Sequence, residues 1–166
     1  MEVIGLETEV PRMEILRVIH SLFPKKELIN WEGNFEKTYV YDGKTNRHDE
    51  DIPDNFSGFA LQIKSHVSEF RTIITLFRTP EENTEERELF LASRLSHRLN
   101  CRTIIDGPAG LVDHPYCSVI IDRDKIFEAN DLDTKWADGE EGGHVKIVRP
   151  IDLTILEFDE EGNKKY

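Results

Sequence analysis

The sequence predicts an α+β fold: a mainly antiparallel sheet with two principal helices packed on it, in a single domain over residues 1–166. Three observations predict it. Apolar residues recur at helical spacing in two segments, 10–22 and 84–100. A series of short segments instead alternates or clusters its apolar residues as strands do. The helices interrupt runs of strands rather than alternating with them one for one, which favours antiparallel pairing. A chain of 166 residues also buries a core without staples.

The first helix is expected over 10–22. Pro11 suits a first-turn position, Ile15, Val18, Ile19 and Leu22 form the apolar stripe, and Pro24 ends it. A strand follows at 36–41, with Tyr39 and Tyr41 on one face and a turn at Asp42-Gly43. Residues 44–55, polar and holding Pro53, read as an exposed loop. Residues 58–65 alternate as a half-buried strand, and 71–78, apolar on both faces, read as a central one. The second helix, 84–100, has capping-box spacing at Asn83 and Glu86. Its acids crowd the start and its bases the end, as the helix dipole favours. That dipole accounts for the acid cluster at 81–88 without a binding site.

Residues 101–105 and 116–121 read as short buried strands around a Gly/Pro loop at 106–115, with 125–127 as a short edge strand or turn. Residues 128–143 are the most loop-like stretch. The last strands are expected at 144–148 and 153–158, broken by Pro150, with a polar tail fraying from Asp159. Cys101 and Cys117 fall towards opposite ends of one hairpin ladder, so no disulfide is expected between them.

Thirty-three Asp and Glu against twenty-one Lys and Arg leave a formal charge of −12. The surplus grows along the chain, from −1 over residues 1–48 to −4 over 49–100 and −7 over 101–166. A field of this sign repels nucleic acid and anionic membrane and attracts basic protein. No run of eighteen apolar residues and no basic leader is present, so a soluble cytoplasmic protein is expected.

Templates for chemistry fail one after another. The six histidines hold no metal-ligand spacing, and no CxxC occurs. Asp131 to Trp136 places Lys135 and Trp136 where a calcium loop needs a ligand and a glycine. Gly107-Pro108-Ala109-Gly110 lacks the Ser of a nucleophile elbow and the Lys of a phosphate loop. Neither a cofactor, a metal nor a catalytic residue is expected. The remaining candidate is an acid–aromatic loop: Trp136 amid Asp131, Asp133, Asp138, Glu140 and Glu141, with Asp49, Glu50, Asp51 and Asp54 as a second acidic loop beside it. An aromatic anchor ringed by polar contacts has the composition of an interface hot spot. The competing reading is that Trp136 tucks into the core and pins a solvated loop.

Residues 58–122 carry a resemblance. Phe59-Ala60-Leu61-Gln62-Ile63 and Thr72-Ile73-Ile74-Thr75-Leu76-Phe77 precede a helix with Leu91-Ala92-Ser93-Arg94-Leu95-Ser96. Cys101-Arg102-Thr103-Ile104-Ile105-Asp106 and Pro115-Tyr116-Cys117-Ser118-Val119-Ile120-Ile121-Asp122 follow. This order resembles small cytoplasmic immunity proteins of bacterial toxin–immunity systems, including contact-dependent growth inhibition. The resemblance implies a non-enzymatic protein that binds and inhibits a basic toxin domain, a nuclease, with acids standing where substrate phosphates would. Rival expectations are another acidic inhibitor or nucleic-acid mimic of the anti-restriction or anti-CRISPR type, an enzyme with a carboxylate or His site, and a structural subunit. A deep pocket lined by titratable groups with shifted pKa values would favour the enzyme.

Overall fold

The computed structural model describes residues 1–32, 35–111 and 114–166. Residues 112–113 of the expected loop at 106–115 lie outside that set. In chain order the elements are β1 Glu2–Leu6, α1 Arg12–Leu22, β2 Leu28–Glu32, β3 Lys37–Tyr41, β4 Asn46–His48, β5 Phe59–Ser65 and β6 Thr72–Phe77. They continue with α2 Thr84–Leu99, β7 Thr103–Asp106, β8 Cys117–Asp122, β9 Lys125–Asn130 and β10 Lys146–Pro150.

All ten strands form one sheet in the order β10-β9-β8-β7-β1-β6-β5-β2-β3-β4. Every described neighbour pair is antiparallel except β2–β5. The expected α+β class, a mainly antiparallel sheet with two helices, holds. Its centre is two interleaved split βαβ units. β1 and β5 run parallel across α1 with β6 between them, and β6 and β7 run parallel across α2 with β1 between them. The β2–β4 strands extend one side and the β8–β10 meander the other.

Strand alternation splits the core by face. Ile4, Leu6, Leu61, Ile74, Leu76, Ile105, Val119 and Ile121 point to one face and pack with Ile15, Leu16 and Ile19 of α1 and Leu91, Ala92 and Leu95 of α2. Ile73, Ile104, Ile120 and Ala129 point to the other, where Phe70 and Trp136 cover them. Both helices therefore lie on one face, and the 131–145 segment covers the other.

Several elements depart from the sequence reading. β1 and β2 were not expected, yet β1 is central, because five residues flanked by polar ones carry little periodic signal. β4 forms inside the expected loop at 44–55. β9 runs on to Asn130, so Glu128 to Asn130 are strand and not loop. β10 runs through Pro150, tolerated because β10 is the sheet edge and Pro150 its last residue. Residues 153–158 form no strand; Leu153, Ile155 and Leu156 pack on the helix-side core instead. The tail does not fray. Asp159 Oδ1 accepts from Glu161 N and Asn163 N, both at 2.9 Å, and Phe158 bridges to Lys164. Asn83 sits at φ 57 without a side-chain cap, so the capping box is absent; a cap needs extended backbone there. Both cysteines are free.

One buried ion pair ties these parts together. Arg87 on α2 and Glu2 on β1 are both fully buried, with Nε 2.6 Å from Oε1. Arg87 also donates to the carbonyls of Pro80, Glu82 and Gly162, and Thr79 Oγ1 donates to Glu2 Oε2 at 3.0 Å. Replacing Arg87 by Ala strands the Glu2 charge and is expected to cost about 3–5 kcal/mol. The double variant Glu2→Gln/Arg87→Met is expected to recover much of that loss. Urea unfolding checks both; a single-variant loss under about 1 kcal/mol would remove the pair from its central role.

Candidate functional site

A cleft of about 640 Å³ opens between the first turns of α2, the end of β7 and the chain after β10. Each side arises from local sequence. Helical spacing turns Glu85, Glu88 and Leu89 of α2 to one side. β7 ends at Ile105 and Asp106, and the Gly-Pro-Ala-Gly run that follows cannot continue a strand. It turns away with Gly107 N bonded to Cys117 O at 2.9 Å. Glu85 holds this loop against the helix, its Oε2 accepting from Ala109 N at 3.2 Å. Leu153 and Thr154 close the third side.

The lining divides into apolar and acidic parts. Val3, Leu89, Ile105, Leu111 and Leu153 supply the first, and Glu85, Glu86, Glu88 and Asp106 the second. Among the described lining residues there is no Lys, Arg or His. Glu88 is mostly buried, and Val3 N donates to its Oε1 at 2.6 Å. Burial pushes its carboxyl from the ordinary range to about 7; the Val3 bond opposes that shift, and the charges of Asp106 and Glu2 add to it. Asp106 stays exposed at the rim, yet desolvation by its neighbours and then the Asp131 carboxylate raise it too. A carboxyl that titrates near neutrality can transfer a proton or answer an arriving cation. Among the described lining residues the hydroxyl side chains are those of Thr84 and Thr154, and Thr84 Oγ1 is engaged on Glu81 O at 3.0 Å.

The acid–aromatic loop has a different character. Trp136 is 2% exposed and is no surface anchor. Its ring stacks edge-on to Phe70 at 6.5 Å, over Gly5, where an added Cβ would lie 3.1 Å from Trp136 Cε3 and 2.6 Å from Ile104 Cγ2. Gly5 leaves the gap that the indole fills. Asp131 is half-buried and bonded to Trp136 Nε1 at 2.9 Å and to the Ser118 hydroxyl. Asp133 pairs with Lys146 and Glu140 with Lys135, each at 2.9 Å. Asp138 and Glu141 are exposed. Of the second loop, Asp49 accepts from Asp51 N at 3.1 Å, Glu50 lies 3.7 Å from His48, and Asp51 and Asp54 are exposed.

The two acidic loops are not neighbours. Trp136 O and Val145 N bond to His66 and Glu69, before β6, whereas Asp54 O accepts from Arg78, after it. A six-residue strand separates them by roughly 20 Å. Among the described residues no cluster of three or more His, Cys, Asp or Glu could hold a metal ion. The sequence reading missed the cleft by assigning its acids to the helix dipole. The only signal for it was that Glu85 and Glu88 share a helix side with apolar Leu89.

Glu88 makes stability depend on pH with a definite sign. Its pKa is higher folded than unfolded, so the folded chain binds the extra proton between about 4.5 and 7. Its contribution therefore favours folding below that window and falls as pH rises through it. Glu88→Gln keeps an acceptor for Val3 N and is expected to raise stability at pH 8 by roughly 1–3 kcal/mol, with no gain at pH 4. Urea midpoints across pH 4–8 check this; a pH-independent difference would contradict it.

Comparison with known proteins supplies no relative: no family model, no curated protein and no solved structure matches this chain.

Proposed function

We propose that this chain is an inhibitory binding protein of the immunity type, which captures a basic toxin domain, a nuclease, and blocks it without catalysing a reaction. The cleft carries this reading. Four carboxylates face one opening whose described lining holds no Lys, Arg or His and a single cation, the Met1 ammonium, in a chain of net charge −12. A long-range negative field speeds encounter with a basic partner, and close carboxylates then hold its cations. The acidic loops at 49–54 and 131–141 serve as steering charge. Trp136 and Asp131 are engaged in the core, so contact falls to the cleft.

One observation favours a second reading. Glu88 titrating near 7 beside Asp106 in a walled cleft is also what an acid–base enzyme holds. Against it, one Glu88 oxygen is occupied by Val3 N, and no nucleophile–base pair is found among the described lining residues.

The test is co-purification from the native host at low and high salt, followed by assay of the captured protein. A salt-sensitive partner with toxic activity that this chain abolishes at 1:1 supports the proposal. Failure to inhibit any captured activity refutes it. Glu85→Lys/Glu86→Lys is expected to weaken that complex about 100-fold, mostly through dissociation. Asp138→Lys/Glu141→Lys is expected to cost less than about 10-fold, mostly through association. The opposite ranking would return the contact surface to the loop.

A further inference from the structure

The cleft defines more of its occupant than a charge. At about 640 Å³ it exceeds a single side chain and falls within the range of ligand pockets, about 300–1,000 Å³. Glu85, Glu86, Asp106, Ala109 and Gly110 of its lining are exposed, whereas small-molecule sites enclose most of their ligand. Its lining asks for two chemistries at once: a cation beside Glu88 and Asp106, and an apolar group on Leu89, Ile105, Leu111 and Leu153. Gly110, at the rim, has nothing within 4 Å of where a Cβ would stand, so chain can pass there.

We propose that the cleft takes a short extended segment of the partner protein in which an Arg or Lys adjoins a large apolar residue. This rests on the inhibitory-binding reading and names the part of the partner that is held. The cation sits between Glu88 and Asp106, and the neighbouring apolar side chain covers Leu111 and Leu153. The Val3 N–H fixes the Glu88 carboxyl in advance, so little side-chain entropy is lost on binding. The groups acting on Glu88 are the Val3 N–H and the Met1 ammonium, which favour its ionised form, and the carboxylates of Asp106 and Glu2, which oppose it. An arriving cation offsets those two charges, and Glu88 then releases its proton.

Capped dipeptides test this on the isolated chain by amide NMR. Leu-Arg is expected to give saturable shifts at Val3, Leu89, Ile105 and Leu111. Leu-citrulline, neutral and of similar shape, is expected to bind at least 10-fold more weakly. Glu88→Gln/Asp106→Asn is expected to lose at least 10-fold for Leu-Arg only, with its spectrum otherwise retained. Calorimetry at pH 7 in two buffers is expected to register proton release with the parent chain and none with Glu88→Gln. Equal binding of the two dipeptides, or shifts confined to 131–141, would overturn the proposal. So would octylamine binding as tightly as Leu-Arg, which would make the site one for small amines. A chain that inhibits its toxin yet ignores Leu-Arg keeps the function and loses this occupant. A chain that binds Leu-Arg yet inhibits nothing keeps the site and loses the function.

Discussion

The Arg87–Glu2 pair is the constraint on which the rest of the structure depends. Both side chains are fully buried, and an unpaired charge at that depth is far more costly than the pair. Arg87 therefore has to find a carboxylate and carbonyls for its donors, and it draws them from four residues in three places. Glu2 comes from β1, Pro80 and Glu82 from the approach to α2, and Gly162 from the tail. Its guanidinium also lies 5.8 Å from the Phe158 ring. Central strand, helix start and chain end are fixed relative to one another by one side chain. The cleft is built from the same parts. Glu88 follows Arg87 directly, and its partner Val3 follows Glu2.

The far face of the sheet is organised by a second polar contact of the same logic. Trp136 brings a large apolar ring to Phe70, Ile104 and Ile120, and its N–H needs an acceptor once buried. Asp131 supplies it from five residues earlier in the loop. Ordering a fifteen-residue connection is costly, and burying the indole offsets that cost. Glu69 gathers the far end, accepting from Val145 N at 2.6 Å and pairing with Arg102 at 3.2 Å. An acid–aromatic composition thus has a structural explanation here; at the surface Asp138 still acts on the Lys135 ammonium, and Glu141 is exposed.

What was legible in the sequence follows from what local pattern encodes. The α2 helix spans more than four turns with periodic Leu and Ala, and β5 and β6 alternate or fill both faces, so all three were readable. β1 was not. Its Gly5 lowers strand propensity, and the reason for that glycine is the close approach of Ile104 and then of Trp136, both far away in sequence. Residues 153–158 failed for the opposite reason. Their pattern is strand-like, but the helix-side core claims their apolar side chains. The cleft was invisible because Glu88 and Asp106 meet only through the α2–β7 crossover. The helix dipole is also a sufficient reason for acids at 85 and 86, so the pattern did not demand another.

That sufficiency stops at Glu88. Glu85 and Glu86 sit in the first turn of α2, where a negative charge stabilises the helix. Glu88 sits a turn further along and mostly buried, where burial and two nearby carboxylates oppose its ionisation and outweigh the Val3 N–H and the Met1 ammonium. Its one structural duty is to accept from Val3 N, and a glutamine carbonyl would do that with no charge to desolvate. For the fold alone, then, the carboxylate is the worse side chain at this position. A local choice that works against stability while facing a cleft is the pattern that marks a functional site. What relieves it is a positive charge, and the described lining supplies none of its own among Lys, Arg and His. The Met1 ammonium offsets only one of the four carboxylates, and the balance has to arrive with the occupant.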